Sequence, residues 1–138
     1  MASILKVDEL QGIVSANDIT VTVGASATQS LEQGLCKAFI HQNVGTLIKK
    51  SFNVSSLVDN AAGDYIVNFS NNMDDINYIP TSAIQPHSYT SSNVMIIHGT
   101  RDNTDQNTDH FHQRAGRVSD VNSLDSNGMR STVHGDLA

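Results

Sequence analysis

Residues Asp64-Tyr65-Ile66-Val67-Asn68-Phe69 alternate strictly, with Tyr65, Val67 and Phe69 on one side and Asp64, Ile66 and Asn68 on the other. A period of two belongs to a strand with one buried face. Upstream, Phe52, Val54 and Leu57 sit among polar residues, with one slip in the alternation at Ser55-Ser56. Such a slip fits a β-bulge. Between the two runs lies Asp59-Asn60-Ala61-Ala62-Gly63, where Asn and Gly tolerate positive φ. The stretch 51–69 therefore predicts a β-hairpin, and a chain built around it needs further strands to cover the buried face.

Those strands are legible downstream and upstream. Candidates are Lys37–His41, Leu47–Val54, Asp64–Ser70, Ile76–Ala83, Val94–His98, His110–Arg114 and Met129–His134. Gly45, residues 60–63, 71–75, Pro86, residues 99–107 and 125–128 mark the turns between them. Short strands at regular turn spacing predict a sandwich or compact barrel. Val94-Met95-Ile96-Ile97 is continuously apolar, which predicts a central strand covered on both faces. Pro80 places its strand at an edge or ends it. Charged residues are only 16% of the chain, against about 25% in typical domains. Thr suits a pleated surface, and Glu, a good helix former, occurs only at Glu9 and Glu32.

Three segments follow. Residues 1–24 read as an N-terminal attachment arm carrying Ile4, Leu5, Val7, Leu10, Ile13 and Val14, with an alternating strand at Ile19–Val23. An apolar arm on a free monomer is a liability unless it docks elsewhere; an edge strand on its own domain is the alternative. Residues 25–34 read as a short helix or linker, with Ser26 and Gln29 at capping-box spacing and Gly34 as its stop. Residues 35–138 form the β domain. The expected fold is mainly β: a compact antiparallel β-sandwich or barrel with an extended N-terminal arm and a short helix or linker. The chain has no Trp and 5% aromatic residues, so the core is expected to be thin and oligomer contacts to supply part of the burial.

The net charge is −6, which argues against nucleic-acid binding because phosphate recognition needs clustered Lys and Arg. Lys49-Lys50 reads as an exposed strand end. Cys36 is the single cysteine, expected as a buried inert thiol. No apolar run has the length of a signal peptide or of a membrane span. Synthesis in a cytoplasm, without membrane insertion, is the expectation.

The runs SFNVSSLVDN (51–60), GDYIVNF (63–69) and NNMDDINYIP (71–80) resemble a segment of short fibre-type structural proteins of tailed bacteriophages. The resemblance covers roughly residues 35–80 and departs from the usual pattern at Ala61-Ala62, where Gly-Thr is common. It encodes no chemistry. It implies a virion structural protein made in the host cytoplasm, a homotrimer, with no cofactor and no enzymatic role. Two duties compete: a tail fibre or spike displayed on the particle, and a capsid decoration or cement protein holding the head together. A carbohydrate-binding module for a host-surface glycan is a third reading. It is poorly supplied with aromatic platforms, having only Tyr65, Tyr78 and Tyr89. In a trimer, Leu31 and Leu35 at i and i+4 are expected to meet their mates around the axis, although a connector packed within one subunit fits equally well.

His110-Phe111-His112 sets two imidazoles on one side of a strand, about 6–7 Å apart. Three copies at a trimer axis would offer six nitrogens, a donor set suited to a transition metal, as the resemblance also suggests. Two polar residues flanking a buried Phe111 is the plain alternative. Residues 102–109, with Asp102, Asp105 and Asp109, are oxygen-rich but lack the EF-hand glycine and distal Glu; a solvated loop is expected. Asp74-Asp75 reads as a turn. Motifs of hydrolases and phosphate loops are missing, and no catalytic residue is expected.

Overall fold

A computed structural model of the chain describes residues 6–11, 19–23, 26–85, 95–98, 105–117 and 123–138. The chain falls into two compact units, Met1–Leu35 and Cys36–Ala138.

In the first unit, β1 (Thr20–Val23) pairs antiparallel with β2 (Ala27–Ser30), from Thr20↔Ser30 to Val23↔Ala27. The expected helix or linker at 25–34 is therefore strand over residues 27–30. The alternating residues 20–23 need a ladder partner for their backbone groups, and residues 27–30 provide it. A single helical turn, α1 (Leu31–Gly34), follows. Its cap is Ser30, not Ser26: the Ser30 hydroxyl accepts the Gln33 N–H at 3.5 Å. The described part of residues 1–24 comprises the exposed stretch 6–11, residue 19 and this paired strand.

Among the described residues, the second unit holds eight strands: β3 (Ala38–Asn43), β4 (Ile48–Phe52), β5 (Val54–Ala61), β6 (Asp64–Phe69), β7 (Ile79–Gln85), β8 (Met95–His98), β9 (His110–Arg117) and β10 (Gly128–His134). They form two four-stranded sheets, in the orders β4-β3-β10-β7 and β5-β6-β9-β8. Every neighbouring pair is antiparallel. The two sheets share one core, to which β3 gives Ala38 and Ile40, β6 gives Val67 and Phe69, β9 gives Phe111 and β10 gives Val133, with Met73 and Tyr78 from the connections. The Phe69 ring meets Tyr78 edge-on at 5.6 Å and Phe111 at 5.7 Å. A second cluster joins Tyr65, Ala115 and Met129. The face expected for Tyr65, Val67 and Phe69 is thus the buried one, and the mainly β, two-sheet architecture stands.

The hairpin stands too, with its turn narrowed. β5 runs on to Ala61, so Ala62 and Gly63 alone turn the chain. Register shifts occur between Val54 and Ser56, where the alternation slips, and again between Asp59 and Ala61. Gly63 takes φ +66°, and a Cβ there would lie 2.4 Å from the Ala115 carbonyl oxygen. Only glycine meets both demands.

The expected strand Leu47–Val54 is instead two strands in different sheets. Asn53 sits between them at φ +53°. Asn is among the few residues that accept this region. Its side chain clamps the corner by accepting the Asn71 backbone N–H at 2.7 Å and donating to the Asn71 carbonyl at 3.0 Å. A strand break that keeps both halves extended leaves no gap in the hydropathy pattern.

β8 corrects another expectation. Among the described residues, Met95–His98 pairs with β9 and stands at the end of the sheet order rather than at its centre. An apolar run reports how faces are covered, whereas backbone pairing decides edge or centre. Pro80 lies in β7, which ends its own sheet, as expected of a residue without an N–H.

Candidate functional site

β9 alternates as the sequence suggested. Phe111 and Ala115 join the core clusters, while His110, His112 and Arg114 take the other face. The register with β6 sets Asn68 opposite His110, Ile66 opposite His112 and Asp64 opposite Arg114. Directly opposed charges of opposite sign are favourable cross-strand neighbours. The segment leading into β9 folds back along it: the His112 N–H donates to the Asp105 carbonyl at 2.8 Å, and Gln106 bridges to Phe111.

A buried charge clasp results. Asp64, Asp105 and Arg114 are 5%, 4% and 7% exposed. The Arg114 guanidinium donates to Asp64 Oδ2 at 3.1 Å and pairs through its other terminal nitrogen with Asp105. His112 Nδ1 donates to Asp64 Oδ1 at 2.9 Å, and Asn60 Nδ2 donates to Asp64 Oδ2 at 2.9 Å. Burial works to raise the Asp64 pKa. The hydrogen bonds from Arg114, Asn60 and His112 outweigh it and hold this carboxyl below the usual range. Burial opposes the charge on Arg114 as well, and the two carboxylates more than restore it. Arg114 Nε is buried without a partner.

His110 and His112 lie on one face, ring centroids 5.9 Å apart. Both nitrogens of His110 are engaged, Nδ1 with Asp109 at 2.8 Å and Nε2 with Asn107 at 3.1 Å. The two imidazoles are tied into their own chain rather than standing clear of it. Among the described residues, no three His, Cys, Asp or Glu side chains are grouped to hold a metal ion. A metal on this pair would need donors from other copies and the release of one His110 bond.

The remaining candidates scatter. Val7 and Leu10 are 51% and 57% exposed, while Ile4, Leu5, Ile13 and Val14 lie outside the described residues. Leu31 is half-buried in α1 and Leu35 exposed. Leu35 leaves the helix in extended backbone, at φ −90° and ψ 142°, so the pair does not stack as i and i+4 of one helix. The Cys36 thiol is partly buried and reaches the Ala38 carbonyl. Lys49 and Lys50 are exposed, and Asp75 accepts the Asn77 N–H at 2.7 Å in a local turn, both as expected. The expected solvated loop is corrected at Asp105, which is buried and paired with Arg114; Asp102 lies outside the described residues. Sequence reasoning missed Asp64, Asp105, Arg114 and Asn60. The available signal was Arg114 continuing the face of His110 and His112 at i, i+2 and i+4.

Chemically, the clasp holds strands. Asp64 accepts from three side chains, which occupy most of its acceptor sites, and Arg114 is fixed between two carboxylates. No protein-family model, curated protein or solved structure matches the chain.

Proposed function

We propose that the chain is a non-enzymatic structural protein of a bacteriophage virion, a homotrimeric fibre or spike displayed on the particle and attached through its N-terminal residues. The observation carrying this reading is where the phage-like segment falls. SFNVSS spans the end of β4, the Asn53 corner and the start of β5; GDYIVNF is the glycine of the turn and the whole of β6. The resemblance thus covers the parts that tie two sheets together, which is architecture rather than chemistry. The closed clasp on the neighbouring strand is in keeping with a load-carrying role. Exposed Val7 and Leu10 fit an attachment segment.

Particles assembled without the protein test the reading. The fibre role expects intact heads that fail to adsorb to cells. Leaking heads would favour the decoration role instead. Particles unchanged in both respects would sink the proposal. Light scattering at micromolar concentration is expected to report three chains. A stable folded monomer there would remove the trimer.

A further inference from the structure

The outer face of the sheet β4-β3-β10-β7 carries a feature that the virion reading does not use. Pairing aligns Lys50, His41, Arg130 and Ala83 in one row across all four strands. The adjacent row is Phe52, Phe39, Thr132 and Thr81. Phe39 and Phe52 stack at 6.1 Å with their planes 27° apart, and Phe52 is 52% exposed. An open groove of about 400 Å³ runs over this face, lined chiefly by Phe39, His41, Thr81, Ala83, Arg130 and Thr132. That is within the usual ligand-site range of about 300–1,000 Å³.

The chain has a net charge of −6 and only eight Lys and Arg. Two of the eight stand in this row, with a histidine between them. Among the described residues, the side chains of Lys50, His41 and Arg130 take part in no ion pair or hydrogen bond. In an acidic protein with carboxylates to spare, cations left unpaired side by side are complementary to an anion from outside. Strand spacing puts Lys50 and Arg130 about 10 Å apart across His41, so one extended molecule can present two acidic groups to them.

We propose that this groove, together with Lys50 and Phe52 beside it on β4, binds an acidic polysaccharide, a chain of sugars bearing carboxylate groups. Arg130 offers a planar fork to a carboxylate and Lys50 a point charge. The Phe39–Phe52 pair receives the apolar face of a sugar ring, and the hydroxyls of Thr81 and Thr132 exchange hydrogen bonds with sugar hydroxyls. A peptide fits less well. β3 and β10 are inner strands with neighbours on both sides. A peptide laid on a sheet face finds no backbone partners there, because added strands pair at edges. The inference goes beyond the virion reading and stands or falls without it.

The test uses the full chain and titration calorimetry with polygalacturonate, neutral dextran and poly-glutamate. The wild type is expected to bind polygalacturonate, more weakly as salt rises, and not dextran. The double change Lys50→Glu with Arg130→Glu is expected to lower affinity by at least about tenfold, and Phe52→Ala by a few-fold, roughly the loss of one or two modest contacts. All three residues are exposed, so the fold should persist, checked by circular dichroism. Absence of binding, or binding unchanged by the charge reversal, overturns the proposal. Equal affinity for poly-glutamate, with Phe52→Ala silent, overturns it in favour of an acidic-peptide surface. Either result leaves the virion experiments untouched.

Discussion

Arg114 stands between two buried carboxylates, so Arg114→Ala would strand Asp64 and Asp105 without their cation. Breaking a buried pair from one side costs about 3–5 kcal/mol, and urea unfolding should show a loss of that size. Asp64 gives the clasp a pH dependence whose sign follows from its lowered pKa. The folded state favours the ionised form, so the contribution is present above about pH 4, the ordinary carboxylate value. It is lost as pH falls through the folded value. Asp64→Asn should therefore flatten the decline of melting temperature on acidification while lowering the plateau at neutral pH. At the other end of the scale, burial pushes the Tyr65 phenol up to about 12, helped by Asp125 and Asp59. Its contribution is lost as pH rises from about 10 through that value. Phe69→Ala should cost about 3–5 kcal/mol, because Phe69 packs on Tyr78 and Phe111. His112→Ala should cost less, about 1–3 kcal/mol, since Arg114 and Asn60 still hold Asp64. Equal losses of melting temperature would point to a structural metal. One transition-metal ion per three chains, lost with His110→Ala, would then establish the axial site.

Two glycines with nearly the same backbone angle separate conformational strain from crowding. Gly45 has φ +65° with nothing within 4 Å of a built Cβ, whereas Gly63 has φ +66° and faces Ala115 and Leu124 at 2.4–2.7 Å. Gly45→Ala should cost about 1–2 kcal/mol, the left-handed penalty alone. Gly63→Ala should cost clearly more, or prevent folding, because the backbone it strikes belongs to β9 and its neighbour. Thermal melts of the two variants check this; similar midpoints would contradict it. The same contrast explains what the sequence could reveal. Period two exposed β6 and the bulge beside it, since both write themselves into the order of apolar residues. The Asn53 corner left no trace, because a residue at positive φ between two extended runs keeps the hydropathy intact. The clasp was half legible: Arg114 shares a period with His110 and His112, but Asp64 meets it only through a pairing 50 residues apart in sequence. β1 was found, and its partner β2 was hidden by residues that also suit a capped helix.

At the scale of the whole molecule, both core clusters draw every member from Cys36 onward. Removing residues 1–35 should leave a folded β unit with an unchanged melting transition that no longer joins particles. An unfolded product would show that the first unit is needed for the second to fold. The connection between the units has a mechanical corollary. A pull transmitted through Cys36 reaches β3 two residues later, at Ala38, and β3 lies between β4 and β10. Six register pairs join β3 to β10 and four join it to β4. Drawn along its own axis, β3 must slide past both neighbours at once, so these rungs share the tension instead of parting in turn. A strand pulled from the rim of a sheet would peel rung by rung at far smaller force. Entry of the chain at an inner strand therefore loads two sets of rungs together.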